Sequence, residues 1–348
     1  MHTVPCPALL LIIVTAIFAL QNVWSHDPKG ASQLADLDAQ ADSHIGDSDD
    51  DLSSIQGGVI TIGNFDGVHR GHAALLGQVR KLADQLGGPA IAMVLDPHPA
   101  TILSPELAPK RLTDIQTRAE LMDQLGIDAL VVCKTSRQFL NLTAKQFFSS
   151  LVQQRFQAQA MVEGPNFFFG RDRGGNIEVL TDLCGQAGVQ LQIIEPMHVG
   201  PQMISSTRIR TLLVRGAVGE AAALLGHPHM VSGTVTSGDQ RGREIGFPTA
   251  NLSGIELVLP GPGVYAGCLY TSEGKHVAAI HVGPNPTFES NGDSKVEVHA
   301  LDYDGDLYGQ SVQVEFLHHV RDVVKFESPE ALVVQVNQDI AEIRKLLS

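Results

Sequence analysis

The stretch Val59-Ile60-Thr61-Ile62-Gly63-Asn64-Phe65-Asp66-Gly67-Val68-His69-Arg70-Gly71-His72 decides the fold. An apolar run of strand length enters a glycine-bearing turn, and a helical pattern begins at Gly71. A strand-turn-helix of this kind is a phosphate site, because the first amides of the helix have no acceptor within it and the helix dipole favours negative charge there.

Working outward, short apolar runs recur at Ala90–Leu95, Ala129–Cys133, Ala160–Val162 and Val189–Ile194, separated by amphipathic segments. That rhythm predicts βαβ units and a parallel, doubly wound sheet, a Rossmann-like α/β domain. The helix after Gly71 is expected to bury Leu75, Val79, Leu82 and Leu86 and to stop at Gly87-Gly88. Further helices are expected after Thr143 as N-cap and after Ser205-Ser206. Between Gly226 and Gly233 the pattern changes to alternating, Val-rich stretches broken by Gly, Pro and Asp, which predicts a mostly-β barrel. Asp304-Gly305 reads as a hairpin between Lys295–Tyr303 and Val312–Leu317. Ser328-Pro329-Glu330 reads as the start of a C-terminal helix whose face carries Leu332, Val336, Ile340, Ile343 and Leu347.

Composition bounds the function. The 348 residues suffice for two domains, and much of the formal charge of −14 lies in residues 26–56, which hold eight Asp against one Lys. We read that segment as an acidic, disordered linker. No basic stripe is present to release counterions, so a nucleic-acid partner is not expected. Cys6, Cys133, Cys184 and Cys268 form no Cys-x-x-Cys pair and read as free thiols, with neither zinc site nor disulfide framework. Residues 1–25 form a hydrophobic leader: the run Ala8 to Leu20 has the shape of a signal peptide or anchor but lacks a preceding Lys or Arg and is short for a bilayer span of ~20 residues. The expected domains are 57–226 and 227–348. The expected location is cytoplasmic, with a membrane tether on the leader as the alternative.

Several residues carry candidate chemistry. His69 and His72, three apart at a helix start, can donate to oxygens of an α-phosphate; capping or surface histidines are the bland alternative. Ile204-Ser205-Ser206-Thr207-Arg208-Ile209-Arg210 puts hydroxyls and two arginines at a second helix start, suited to a triphosphate or to a plain Ser cap. Asp96-Pro97-His98-Pro99 and Gly164-Pro165-Asn166-Phe167-Phe168-Phe169-Gly170 fall at strand ends, where ligands gather in open α/β sheets. In Gly246-Phe247-Pro248-Thr249-Ala250-Asn251, Thr249 and Asn251 project to one face if extended, and their oxygens suit a shared Mg²⁺. Glu297, between core-facing Val296 and Val298, is a candidate general base.

Gly63–His72, Asp96–Pro99, Gly164–Gly170 and Ile204–Arg210 occur in the order seen in the adenylyltransferase module of bacterial bifunctional riboflavin kinase/FAD synthetases, and the chain resembles that family from about residue 58 onward. Gly246–Leu252, Gly263–Gly267, Gly283–Phe288, Glu297–His299 and Asp306–Gly309 follow the kinase pattern of the same family. The resemblance implies phosphorylation of riboflavin to FMN in the barrel, then adenylylation of FMN to FAD, with Mg²⁺ and ATP at both steps. It implies ATP contacts at Gly63, Asn64, Phe65, Asp66, Gly71, Ser205, Ser206, Thr207, Arg208, Gly246, Pro248, Thr249 and Asn251, with His69, His72 and Glu297 catalytic. It implies flavin contacts at Asp96, His98, Asn166 and Phe169, and metal ligation by Thr249 and Asn251. Leu95 and His227 depart from the residues usual in the family. A riboflavin kinase with an impaired or differently specific adenylyltransferase half and a non-catalytic flavin-binding protein are the rival readings.

Overall fold

The computed structural model describes residues 10–14, 52–237, 245–284 and 294–348. They fall into two compact units, one drawn from Met1–Asn64, Ala74–Ala108 and Ala119–Glu195, the other from Phe65–Ala73, Pro109–Arg118 and Pro196–Ser348. By packing, the units part near residue 195 and the turn after Asn64 belongs to the second of them. The helices Ser206–Val214 and Val218–Leu225 bury Ile209, Leu213, Ala221 and Leu224 in the same core as the barrel strands.

The first unit is built on a wholly parallel sheet of β1 (Leu10–Val14), β2 (Val59–Ile62), β3 (Ala90–Asp96), β4 (Ala129–Lys134), β5 (Ala160–Glu163) and β6 (Gln190–Ile193), in the order β1-β4-β3-β2-β5-β6. Strands β2 to β5 are near-continuous apolar runs because both faces of such a sheet are covered. From β2 the chain adds β3 and β4 on one side and then β5 and β6 on the other. The order therefore reverses between β2 and β5, and the carboxyl ends of those strands bound the crevice where open sheets take ligands.

Two expectations need correcting here. Five residues of the hydrophobic leader form strand β1, parallel to β4 with Leu10 opposite Ala129, so part of the segment read as signal or anchor is a β-strand. A short Leu/Ile/Val run suits a sheet strand as well as a membrane segment, and here Leu10–Val14 pairs with β4. The acidic linker also ends earlier than expected, since Leu52–Ile55 is a 3₁₀ turn whose Leu52 and Ile55 are buried in the first core. No helix among the described residues is long and apolar enough to cross a membrane.

Helix α1 (Arg70–Leu86) follows the decisive turn. Its buried positions are Leu76, Val79, Leu82 and Ala83, so the face is rotated slightly from the expected one, and Leu75 and Leu86 sit at its margins. In helix α2 (Ile177–Ala187) the Asn176 side chain caps the Val179 N–H.

In the second unit a two-stranded ribbon of β7 (His198–Val199) and β8 (Gln202–Met203) comes first, and then β9 (His229–Thr236), β10 (Ala250–Ser253), β11 (Gly263–Thr271), β12 (Gly274–Pro284), β13 (Ser294–Ala300) and β14 (Ser311–Arg321) close an antiparallel barrel in the order β10-β13-β12-β11-β14-β9. Val235, Leu252, Val282, Val296, Val298 and Phe316 fill its core, as the alternation required. The expected hairpin at Asp304-Gly305 is not one: β13 pairs with β10 and β12, while β14 pairs with β11 and β9. Both edges of β13 are taken, so residues 301–310 form a connection between strands that do not neighbour each other. Helices α3 (Ser206–Val214) and α4 (Val218–Leu225) precede the barrel, and α5 (Pro329–Leu346) closes the chain with Ser328 as N-cap and Ile343 buried.

Candidate functional site

At the β2/β5 switch of the first unit the backbone ladder spans only Val59↔Ala160 and Ile60↔Met161. The buried Glu163 carboxyl takes over from there, its Oε1 accepting the Ile62 N–H at 2.8 Å, and burial raises its pKa well above the usual carboxylate range. That bond fixes the strand ends from which Gly63-Asn64 and Gly164–Gly170 emerge. Both stretches line one cavity of about 600 Å³, together with Leu95, His98 and the three phenylalanines Phe167, Phe168 and Phe169. Phe167 stacks on Phe169 at 5.3 Å between ring centres, and the Arg173 guanidinium lies 4.2 Å over Phe168. The cavity offers aromatic faces with guanidinium groups at its edge, a suitable lining for a flat heteroaromatic ligand carrying a phosphate. Of the expected flavin contacts, His98, Asn166 and Phe169 line it and Asp96 does not. The His98 Nδ1 accepts the Ala100 N–H at 3.0 Å, capping the helix Pro99–Leu103.

In the second unit the turn after Asn64 is tightly constrained. Phe65 and Val68 have φ of +46° and +36°, and Gly67 has +84°. A β-branched residue in the left-handed region is costly and persists only where its surroundings enforce it. Asp66 supplies much of that enforcement. Its buried carboxylate accepts the Leu112 N–H at 2.9 Å and the Thr113 N–H at 3.1 Å, and it pairs with Arg210 and, at 3.6 Å, with Arg118. Asp66, expected among the ATP contacts, thus spends its charge inside the protein. Phe65 is likewise buried, its ring meeting His72 edge-on at 5.2 Å.

His69 and His72 stack at 3.6 Å with planes 12° apart. Burial holds the His69 imidazole down at about 4 and the His72 imidazole well below its usual range, with the neighbouring His69 and Arg118 adding to the latter. Both rings are therefore neutral near pH 7. The His69 Nδ1 accepts the His72 N–H at 3.2 Å, which leaves its ring proton on Nε2, free to be donated. A side chain at Gly71 would have its Cβ 3.2 Å from the His69 ring, so this glycine makes room for the imidazole. At the start of α3 the Ser205 hydroxyl caps the Arg208 N–H at 3.3 Å, while the Ser206 hydroxyl donates to the Asp66 carbonyl at 2.8 Å. The amides of Ser206 and Thr207 then have no acceptor within the helix, and Thr207 is exposed. His227 Nε2 lies 3.0 Å from the Gly67 carbonyl, so the residue that departs from the family supports this same turn.

On the barrel, directly opposite residues place His281 (β12), Glu297 (β13), Asn251 (β10) and Thr236 (β9) in one row across four strands. Neighbours in such a row share a face, with Cβ atoms roughly 5 Å apart. Thr249 and Asn251 line a cavity of about 520 Å³ with Pro248 and residues 303–308; Glu297 stands beside Asn251 but outside that lining. Asn251 is only 9% exposed, and its Oδ1 is buried without a hydrogen-bond partner. An unpartnered hard oxygen on a cavity wall, two residues from a threonine hydroxyl, fits a Mg²⁺ site. Gly246 is exposed with φ of +88°, and the Pro248 carbonyl is held 2.7 Å from His299 Nδ1. The Glu297 carboxylate is held at both oxygens, by Lys295 Nζ at 2.8 Å and His281 Nδ1 at 3.3 Å, and these two partners hold its pKa at about 2. The glycine-basic segment Gly238–Arg243 and residues 285–288 lie outside the described residues.

Sequence reasoning missed Arg118, Lys295 and His281 as partners of the site residues. Lys295 shares a strand face with Glu297 and was open to the same alternation argument, whereas Arg118 and His281 are brought in from segments distant in sequence.

The described residues thus carry a cavity at the sheet's strand ends, a constrained turn with a neutral imidazole pair, and a barrel face with a carboxylate next to an unpartnered amide oxygen. Residues 52–208 match the FAD synthetase family and residues 225–347 the riboflavin kinase family. The chain is 35% identical to the bifunctional riboflavin kinase/FMN adenylyltransferase of Escherichia coli K12 over 82% of its length and 91% of the relative's, and 33% identical to that of Listeria monocytogenes over 82% and 91%. It is also similar to a crystal structure titled macrolide-efflux protein from Streptococcus pneumoniae, with TM-score 0.75 and 32% identity over 83% of this chain and 94% of that one. The chain belongs to the bifunctional riboflavin kinase/FMN adenylyltransferase family.

Proposed function

We propose the following division of labour for this riboflavin kinase and FMN adenylyltransferase. In the barrel, Glu297 accepts the proton of the terminal ribityl hydroxyl of riboflavin as that oxygen bonds to the γ-phosphorus of ATP and ADP leaves, giving FMN. Thr249 and Asn251 are the residues that would hold Mg²⁺, which when bound would neutralise charge on the phosphates. Pro248 and Gly246 shape the turn under the nucleotide, and His299 keeps that turn in place. The pairing of Asn251 and Glu297 across β10 and β13, with the Asn251 Oδ1 unpartnered, is the single observation that carries this assignment.

For adenylyl transfer, FMN occupies the cavity of the first unit, with Asn166 and Phe169 against the flavin. Its phosphate oxygen bonds to the α-phosphorus of a second ATP, the α–β bridge breaks, and pyrophosphate leaves. His69 and His72, both neutral, donate from their rings to the α-phosphate oxygens as charge builds there. The loop Gly63–Gly71 and the α3 start, with Ser205, Ser206, Thr207 and Arg208, receive the triphosphate. Asp66 and Phe65 act through the shape of the turn. The proposed location is the cytoplasm, where ATP is supplied, and the proposed partners are small molecules alone. The test supplies riboflavin with Mg·ATP, and separately FMN with Mg·ATP, and follows FMN, FAD and pyrophosphate. Both products are expected and both should vanish with EDTA; FMN formation without FAD formation would leave only the kinase half standing.

A further inference from the structure

Glu297 is not an isolated strand carboxylate. Lys295, two residues earlier on β13 and on the same face, takes Oε1 at 2.8 Å, and His281, opposite on β12, takes Oε2 at 3.3 Å. We propose that His281 is a positioning residue for the riboflavin kinase reaction, orienting the Glu297 carboxylate from the neighbouring strand. This rests on the assignment of Glu297 as the base.

Three observations support it. A glutamate on an exposed barrel face rotates freely about its last torsion, and one donor on each oxygen fixes the plane of the carboxylate while leaving a lone pair on each oxygen for an incoming proton. The two donors differ in stiffness. Lysine reaches its oxygen on a flexible four-carbon stem, whereas the imidazole is rigid beyond two torsions. The imidazole is also seated: a Cβ at Gly283 would lie 2.6 Å from His281 Cε1, so the ring occupies the space that a side chain at 283 would fill. The His281 side chain is 38% exposed and Glu297 27%, so removing the imidazole opens no core cavity. The contribution therefore falls on geometry at the reacting oxygen, and it is worth the loss of one hydrogen bond to a charged group, about tenfold or more in rate.

The test uses the full chain with both activities measured on each preparation, adenylyl transfer serving as the internal control. His281→Ala should lower kinase kcat about tenfold with KM for riboflavin and for ATP within about twofold, and leave adenylyl transfer unchanged. His281→Asn, whose amide nitrogen can donate to the same oxygen, should restore most of the rate. In a Glu297→Gln background, adding His281→Ala should cost nothing further. Full kinase kcat in His281→Ala overturns the proposal, as does an equal loss in the Asn and Ala variants, an additive loss in the double variant, or a parallel loss of adenylyl transfer. If Glu297→Gln itself keeps the wild-type rate, the assignment of the base fails first. If Glu297→Gln is inactive and His281→Ala is normal, only the positioning role fails.

Discussion

The imidazole turn after β2 and the outward row of the barrel, the two places proposed for phosphate chemistry, keep their polar groups in opposite states. His69 is buried beside a turn with left-handed residues and His72 is half-buried in the first turn of α1, and desolvation strips their charge, so both rings are neutral. Glu297 stands on a half-exposed strand face where two cationic or donating partners preserve its charge. A loop site needs interior charges such as Asp66 to hold its shape. A strand site inherits its shape from alternation and register, and uses side chains only to aim the reactive group.

The largest expected effect sets the two sites apart outright. Glu297→Gln should lower FMN formation by about 10²–10⁴-fold while FAD formation from supplied FMN stays at the wild-type rate; parallel loss of both in steady-state assays would mean that the sites are not independent. Next in size is Asp66→Ala, which leaves Arg118 and Arg210 without their counter-charge and should destabilise the fold by about 3–5 kcal/mol in urea titration. A variant as stable as wild type that loses only adenylyl transfer would make Asp66 a ligand group after all.

The histidines give a pH signature. Burial lowers His229 from 6.5 to about 4, like His69, while its Nε2 bonds the Val258 carbonyl at 2.7 Å. The unfolded chain takes up these protons near pH 6.5 and the native state refuses them until about 4, so stability is complete above 6.5 and drains away as pH falls towards 4. His229→Gln keeps a donor and removes one titration, so its urea midpoint should fall less steeply between pH 7 and 4.5; an unchanged slope would show that the buried ring is not a linked group. The smallest effect belongs to the end of the chain. Ser328→Ala removes the hydroxyl that caps the Ala331 N–H and should cost about 1 kcal/mol with both activities intact.

Much of the fold was legible in the sequence. Parallel strands β2 to β6 of the first unit read within a residue or two, because buried parallel strands are continuous apolar runs bounded by turns. The caps at Thr143, Ser205 and Ser328 were legible because the capping bond is local. The errors were of another kind. Asp304-Gly305 has the residues of a hairpin, but both edges of β13 were already paired, one to the preceding strand β12 and the other to β10. Leu10–Val14 has the composition of a leader, and pairing with β4 made it a strand. At the candidate sites, the imidazoles, Asn166, Thr249, Asn251 and Glu297 were singled out by residue type together with the family resemblance, and the structure places Asn166 on the first cavity and Thr249 and Asn251 on the second. The inward use of Asp66 was not, because nothing near it in sequence names Leu112, Thr113, Arg118 or Arg210 as its partners.

By itself, the sequence determined the order of the elements, the alternation that sends Val296 and Val298 inward and Glu297 outward, and the types of residue at the candidate sites. Those follow from local periodicity and from the chemistry of single side chains. Only the tertiary structure decided that Asn251 faces Glu297, that His281 and Lys295 grip its two oxygens, and that burial discharges His69 and His72. Register, long-range partners and the local dielectric are properties of what the chain packs against, and a linear sequence leaves them open until the sheet closes.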